Sequence, residues 1–199
     1  LKANNNHAWR LIFACLVFIA LYNMYRSRNL SALNEAQHAQ LLSSVSLVEH
    51  KELMALSLKF NGHILKWPEL ERLGEGPVAE GERLVLAFSE DSCNSCRESE
   101  TRFMLEMAER IGAEHVVILI HADSVRYVNA YMVTNQINIP VFYDKEGSFL
   151  KQNHIEKTPM TLLLNERNEV MAGHFPSPGK PELSEPFRVA MNQFFGVQD

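Results

Sequence analysis

Cys93 and Cys96 are the residues of this chain whose type and spacing best suit them to chemistry. They sit in the stretch Phe88 to Glu100, FSEDSCNSCRESE, after an apolar run and before a polar run of helical character. Two thiols three positions apart, one turn of helix, can close a disulfide on each other, so the pair can act as a two-electron couple. The placement strengthens that chemistry. Cys93 falls in the turn after a buried strand, at the start of a helix, where free backbone N–H groups and the helix dipole favour an anion. A thiolate is such an anion, and it is the nucleophilic form of cysteine. Cys96 lies one turn inside the helix and is more sheltered, as a resolving thiol should be. Glu90 and Asp91 disfavour a thiolate at Cys93, whereas Arg97 favours one.

Other chemistries share the motif. A structural zinc site needs four ligands, and a second C-x-x-C or a closely spaced histidine pair is missing; His115, His121, His154 and His174 are scattered. A peroxidase needs one especially reactive cysteine with groups that hold a peroxide, and Glu90 is a poor neighbour for that. Inert core thiols favour apolar surroundings, whereas these are flanked by Asp91, Ser92, Asn94 and Ser95.

A second feature stands in Lys157-Thr158-Pro159-Met160. Proline at the first position of an apolar strand is tolerated on structural grounds alone. The sharper expectation is a cis Thr158–Pro159 bond facing the cysteines, with the Thr158 backbone free to pair with an incoming peptide.

These residues must be positioned by strands and helices, and the pattern from Arg83 onward supplies them in alternation. Leu84 to Ser89 (LVLAFS) has strand length. Cys96 to Ile111 has helical spacing, with Phe103, Met107 and Ile111 on one face and Gly112 at its stop. His115 to His121 (HVVILIH) is a β-branched run without polar alternation, as in a strand covered on both faces. Asp123 is placed to cap a helix running to about Asn135. Pro140 to Tyr143 begins another strand, followed by a Lys145-Glu146-Gly147 turn. Pro159 to Leu164 and Val170 to His174 form a hairpin pair across a polar turn, and Leu183 to Phe195 is a closing amphipathic helix. Alternation followed by a hairpin and a last helix implies an α/β sandwich with a mixed central sheet.

The N-terminal part is different in kind. Between Leu11 and Tyr22 no side chain is charged or strongly polar, and Trp9, Tyr22 and Tyr25 flank the run as aromatics do at a membrane interface. The strictly apolar part is short for a spanning helix, but Arg10 can snorkel outward and extend it. Asn23, Met24, Arg26 and Arg28 follow where a cleaved signal peptide has small residues, so the segment is read as an uncleaved single anchor. Lys2 and Arg10 on one side balance Arg26 and Arg28 on the other, so charge does not orient it. Cys15 lies in this run as a small apolar filler. From Leu30 to Phe60 apolar residues recur at helical spacing (Leu41, Val45, Val48; Leu53, Leu56, Phe60), interrupted by Gln37, Ser44 and Glu52. This is a membrane-proximal helical spacer that partly packs on the domain. Glycines and prolines from Gly62 to Gly81 then punctuate the chain. The organisation expected is an anchor with flanks at 1–29, a helical spacer and linker at 30–81, and a compact domain at 82–199.

Composition narrows the function classes. The 199 residues are 46% hydrophobic and 22% charged, which suits a packed core. A formal net charge of -5 with interspersed charges argues against nucleic-acid binding. Three cysteines are too few for a disulfide-scaffolded fold.

Taken together, these residues resemble the thioredoxin fold, and from Arg83 to about Phe195 they resemble bacterial membrane-anchored thiol–disulfide oxidoreductases of the TlpA and ResA type, within the redoxin group. LVLAFSEDSCNSCRESE is similar to that family's strand, C-x-x-C and helix start. HVVILIHAD is similar to its central strand. VFYDKEGSFLKQNHIEKTPMTLLLNERNEV resembles its passage from an Asp-x-x-Gly turn through a short helix to a Thr-Pro-x-Thr strand and a charged hairpin. The chain departs from the family at Ser92, where tryptophan is usual, at Asn94-Ser95, where proline is frequent, at Ala87, where many thioredoxins carry a buried aspartate, and at Lys157, where glycine is common.

The resemblance implies a thioredoxin-like α/β/α sandwich preceded by a transmembrane helix and a spacer. It implies that Cys93 attacks, that Cys96 resolves, and that Thr158 and Pro159 contact substrate. The expected partners are protein thiols or disulfides in an extracytoplasmic, periplasmic space, with the membrane engaged through the N-terminal helix and no cofactor or metal. Reduction potential sets whether such a couple oxidises, reduces or isomerises. Alternative roles for the same fold are a non-catalytic redox sensor or adaptor, and a copper chaperone using Cys93, Cys96 and a histidine such as His154.

Overall fold

The computed structural model describes residues 57–177 and 179–197, together with Lys51 and Ala55. The expected anchor at 1–29, Cys15 within it and most of the spacer lie outside the described residues. Among the described residues no helix is long and apolar enough to cross a membrane.

The longest apolar, β-branched runs form the centre of the sheet. Strand β2 (Arg83–Ser89) pairs in parallel with β3 (Val116–His121), and β3 pairs in parallel with β4 (Val141–Asp144). On the other side, β2 pairs antiparallel with β5 (Met160–Leu164), which pairs antiparallel with β6 (Val170–His174) across the polar turn. The two-residue strand β1 (Glu71–Arg72) completes the far edge against β4. The order β1-β4-β3-β2-β5-β6 is therefore a mixed sheet with parallel strands at its middle. Five of the six β3 residues are buried, as a strand covered on both faces requires.

Helices cover one face. α1 (Asn94–Ile111), α2 (Val125–Thr134) and α4 (Glu185–Phe194) bring Phe103, Met104, Met107, Val128, Tyr131 and Met191 onto Leu84, Leu86, Phe88, Ile118 and Ile120. The opposite face of the same strands, Val85, Ala87, Val117 and Leu119, is covered by Phe149 of the short helix α3 (Ser148–Gln152) and by Phe60, Leu65 and Ile155. Alternation along β2 and β3 thus feeds two cores, one on each side. Residues 57–60 are helical, and Phe60 is buried in the second core.

Local chemistry sets the element ends. Gly112 stops α1 with φ +100°, a conformation that favours glycine. At Gly74 a Cβ would collide with the backbone of Ile139 and Val141, so only glycine lets the chain leave β1 along β4. One expected cap is corrected. Ser124, not Asp123, caps α2, its Oγ accepting from the Arg126 N–H at 3.2 Å. Both residue types are good caps, and it is Ser124 that holds the extended backbone the position needs.

Candidate active site

The end of β2 and the start of α1 place the cysteines. β2 ends at Ser89, a turn closes with the Ser92 N–H donating to the Ser89 carbonyl at 3.0 Å, and α1 begins at Asn94 with Cys93 as its N-cap. Cys93 is partly exposed and Cys96 is buried, with 5% of its surface accessible. The two are joined as a disulfide with their Cα atoms 5.3 Å apart. The asymmetry expected of an attacking and a resolving thiol is therefore present in the exposures. The Cys93 sulfur also lies 3.4 Å from the Ser95 hydroxyl.

The Thr158–Pro159 bond is cis, and Thr158 reaches the cysteine segment. Its Oγ1 is 2.6 Å from the Ser92 hydroxyl and 3.2 Å from that of Ser89. The two hydroxyls of Ser89 and Ser92 are 3.2 Å apart, and Ser92 Oγ accepts from the Ser89 N–H at 3.0 Å. Three hydroxyl groups thus close a triangle that joins the turn before Cys93 to the loop before β5. The structure brings together all four residues singled out in the sequence: Cys93 and Cys96 through the disulfide, and Thr158 with its neighbour Pro159 through Ser92. It puts His154 elsewhere, on the rim of a separate cleft with Lys59, His63 and Lys157. Among the described residues no group of three or more His, Cys, Asp or Glu side chains is arranged to hold a metal ion.

Arg97 has a different job from the one its charge suggests. It is buried, and its guanidinium donates to the Glu90 carbonyl at 2.7 Å, to Asn94 Oδ1 at 2.8 Å and to the Tyr127 hydroxyl. The rings of Phe88, Tyr127 and Tyr131 surround it, each centroid 5.8 Å from the guanidinium carbon. Its two terminal nitrogens lock the turn to α1 and α2, while its buried Nε has no hydrogen-bond partner.

Glu100, one turn past Cys96 on the inward face of α1, was not marked by spacing of cysteines or prolines. Its carboxylate is fully buried. It accepts from the Thr161 hydroxyl at 2.7 Å and pairs with Arg188 of α4 at 3.1 Å. Thr161 stands opposite Leu86 in β2, two residues beyond Pro159. The signal for this network was the helical repeat itself, since a glutamate four positions after Cys96 and three before Phe103 must lie on the apolar stripe.

With strand order, helix placement and a disulfide at the N-terminus of α1 established, the chain has a thioredoxin-like fold. Solved structures agree with that class. A thioredoxin-like protein in its oxidized form superimposes with a TM-score of 0.51 at 15% identity, covering 71% of this chain and 99% of that one. A thiol-disulfide isomerase from Corynebacterium glutamicum gives 0.52 at 15% identity, covering 68% and 95%. At the level of sequence, the chain is similar to sporulation thiol-disulfide oxidoreductase A of Bacillus subtilis (strain 168), 22% identical over 94 residues. That match takes in 45% of this chain and 57% of the relative's length. No family model matches the chain.

Proposed function

We propose that this protein is a thiol–disulfide oxidoreductase that exchanges disulfides with protein partners through Cys93 and Cys96. The observation that carries the reading is the pair's asymmetric placement, a partly exposed Cys93 at the N-cap of α1 bonded to a buried Cys96 one turn on. In the reduced form the Cys93 thiolate attacks one sulfur of a partner disulfide. A Cys93–partner bond forms, the partner's S–S bond breaks, and the second partner sulfur leaves as a thiolate. Cys96 then gives up its proton to solvent and attacks the Cys93 sulfur, closing the intramolecular disulfide and releasing the first partner sulfur. Two electrons pass from the dithiol to the partner, and the same steps run backwards when the partner is the dithiol. Thr158 and Pro159 border the attacking cysteine through the Ser92 contact and form the wall along which a partner backbone lies.

Tethering belongs to the same proposal. The apolar run from Leu11 to Tyr22 with its aromatic flanks supports a single-pass anchor. The redox chemistry supports an extracytoplasmic, periplasmic domain, where disulfides persist. The test of function is reduction of insulin disulfides by dithiothreitol with the full chain in detergent. Turnover is expected from the wild type and is lost in Cys93→Ser. A folded wild type whose disulfide is reducible but which gives no acceleration overturns the enzyme reading in favour of a sensor or adaptor. Anchoring is checked separately by alkaline carbonate extraction of membranes, in which the chain should stay with the pellet.

A further inference from the structure

We infer that Ser95, and not the adjacent Ser92, supplies the hydroxyl that stabilises the Cys93 thiolate; the inference rests on Cys93 being the attacking thiol. Both serines flank the cysteine within three positions, and each hydroxyl has a single proton to give. Ser92 has committed its proton. The oxygens of Ser89, Ser92 and Thr158 form a triangle with edges of 2.6, 3.2 and 3.2 Å. Three protons distributed around three edges let each hydroxyl donate once and accept once, and Ser92 also accepts the Ser89 N–H. Turning the Ser92 proton toward sulfur opens one edge of this ring. Ser92 is only 9% exposed, so water is poorly placed to close the gap.

Ser95 is free of such commitments. It is exposed in the first turn of α1, and its hydroxyl partner is the Cys93 sulfur at 3.4 Å. In the disulfide that contact is weak. On reduction the sulfur becomes an anion, and the same hydroxyl forms a charge-assisted hydrogen bond. A hydrogen bond to the charged form favours ionisation.

The charges around the sulfur leave this role open. Glu90 and Asp91 in the preceding turn oppose an anion. Glu98 on α1 accepts from Asn94 Nδ2 at 2.7 Å. The terminal nitrogens of Arg97 donate to Glu90, Asn94 and Tyr127 of α2, and Lys157 precedes Thr158 on the facing loop. A side-chain donor that needs nothing else for its own satisfaction is what offsets the acidic turn, and Ser95 is placed to be that donor.

The test is alkylation of the reduced full chain by iodoacetamide as a function of pH, with Cys15, Cys93 and Cys96 separated by peptide mapping. Ser95→Ala should move the Cys93 midpoint upward and slow its reaction below that midpoint by about three- to tenfold, tenfold being one unit of midpoint. Ser95→Thr, which keeps the hydroxyl, should restore the wild-type profile. Ser92→Ala should lower the thermal midpoint of the fold and move the Cys93 profile less than Ser95→Ala does. An unchanged profile in Ser95→Ala, or a larger displacement in Ser92→Ala, overturns the assignment. If Cys96 in the wild type reacts ahead of Cys93, the fault lies instead with the reading of Cys93 as the attacking thiol.

Discussion

Replacing Glu100 tests how α1 is fixed to the sheet. The carboxylate is fully buried and holds two partners from distant parts of the chain, Thr161 of β5 at 2.7 Å and Arg188 of α4 at 3.1 Å. In Glu100→Leu the Thr161 hydroxyl is left without its acceptor in a strand that is buried throughout. Arg188 loses its counter-charge. Removing one member of a buried ion pair costs roughly 3–5 kcal/mol, mostly from the charge left behind. Here Arg188 keeps 24% of its side chain exposed and retains the Ser99 hydroxyl at 2.9 Å, so it can rehydrate. We therefore expect about 3 kcal/mol, the low end of that range. Glu100→Gln keeps an acceptor for Thr161 and gives up the charge, so it should lose about 1–2 kcal/mol. The triple variant Glu100→Leu, Arg188→Met, Thr161→Val removes both groups that Glu100→Leu orphans and should recover most of the loss, since an apolar replacement of a buried pair is often neutral. Urea denaturation of the full chain in detergent, followed by far-UV circular dichroism, measures all three. A loss below about 1 kcal/mol in Glu100→Leu, or a triple variant less stable than the single, refutes the argument that the orphaned partners carry the cost.

The remaining predictions concern the aromatic cage beside the cysteines. Arg97→Lys replaces a planar fork with a point charge. It cannot reproduce the Glu90, Asn94 and Tyr127 bonds together, so it should destabilise the fold by about 2 kcal/mol in the same urea assay; an unchanged midpoint contradicts the proposed lock. Tyr131 is held above its ordinary pKa of 10.0, chiefly because burial penalises the phenolate. Above pH 10 the unfolded chain therefore ionises first and binds fewer protons than the native state, so stability falls as pH rises. Tyr131→Phe, by losing the Thr101 bond at 2.8 Å, should be less stable by about 1 kcal/mol at neutral pH. The gap should narrow above pH 10, with Tyr143, raised by burial in the same direction, keeping part of the slope in both proteins. A gap that stays constant to pH 11 refutes the linkage.

How far the sequence carried can be argued residue by residue. β2 and β3 were legible because a strand covered on both faces must be apolar at every position, and few other elements of that length are. The opening of α1 was legible because the polar stretch around Cys93 separates a buried strand from a helical repeat. β1 was not, since Glu71 and Arg72 have no strand pattern of their own and are extended only because β4 is there to pair with them. The choice between Asp123 and Ser124 as a cap turns on which residue takes the extended backbone, and composition is silent about that. The hydroxyl triangle was out of reach for a different reason. Ser89 and Ser92 are separated from Thr158 by 69 and 66 positions, and no periodicity links them; only the pairing of β2 with β5 does.

That pairing explains why the cysteines sit where they do. Ala87 stands opposite Met160 and Leu86 opposite Thr161, so the Thr-Pro-x-Thr segment runs beside the end of the strand that delivers Cys93. Its two threonines then reach across in opposite directions along the cysteine segment. Thr158 holds Ser92, one residue before Cys93, and Thr161 holds Glu100, four residues after Cys96. The couple is clamped on both sides by one short strand and its approach. A fixed couple favours exchange, because both sulfurs must return to bonding distance after each mixed disulfide without a costly search of the chain. The turn contributes rigidity through Arg97 and its three rings. Ser95, whose hydroxyl lies 3.4 Å from the Cys93 sulfur, lies outside both clamps. It is therefore the position at which the thiol's acidity can be altered while the framework holding it is left alone.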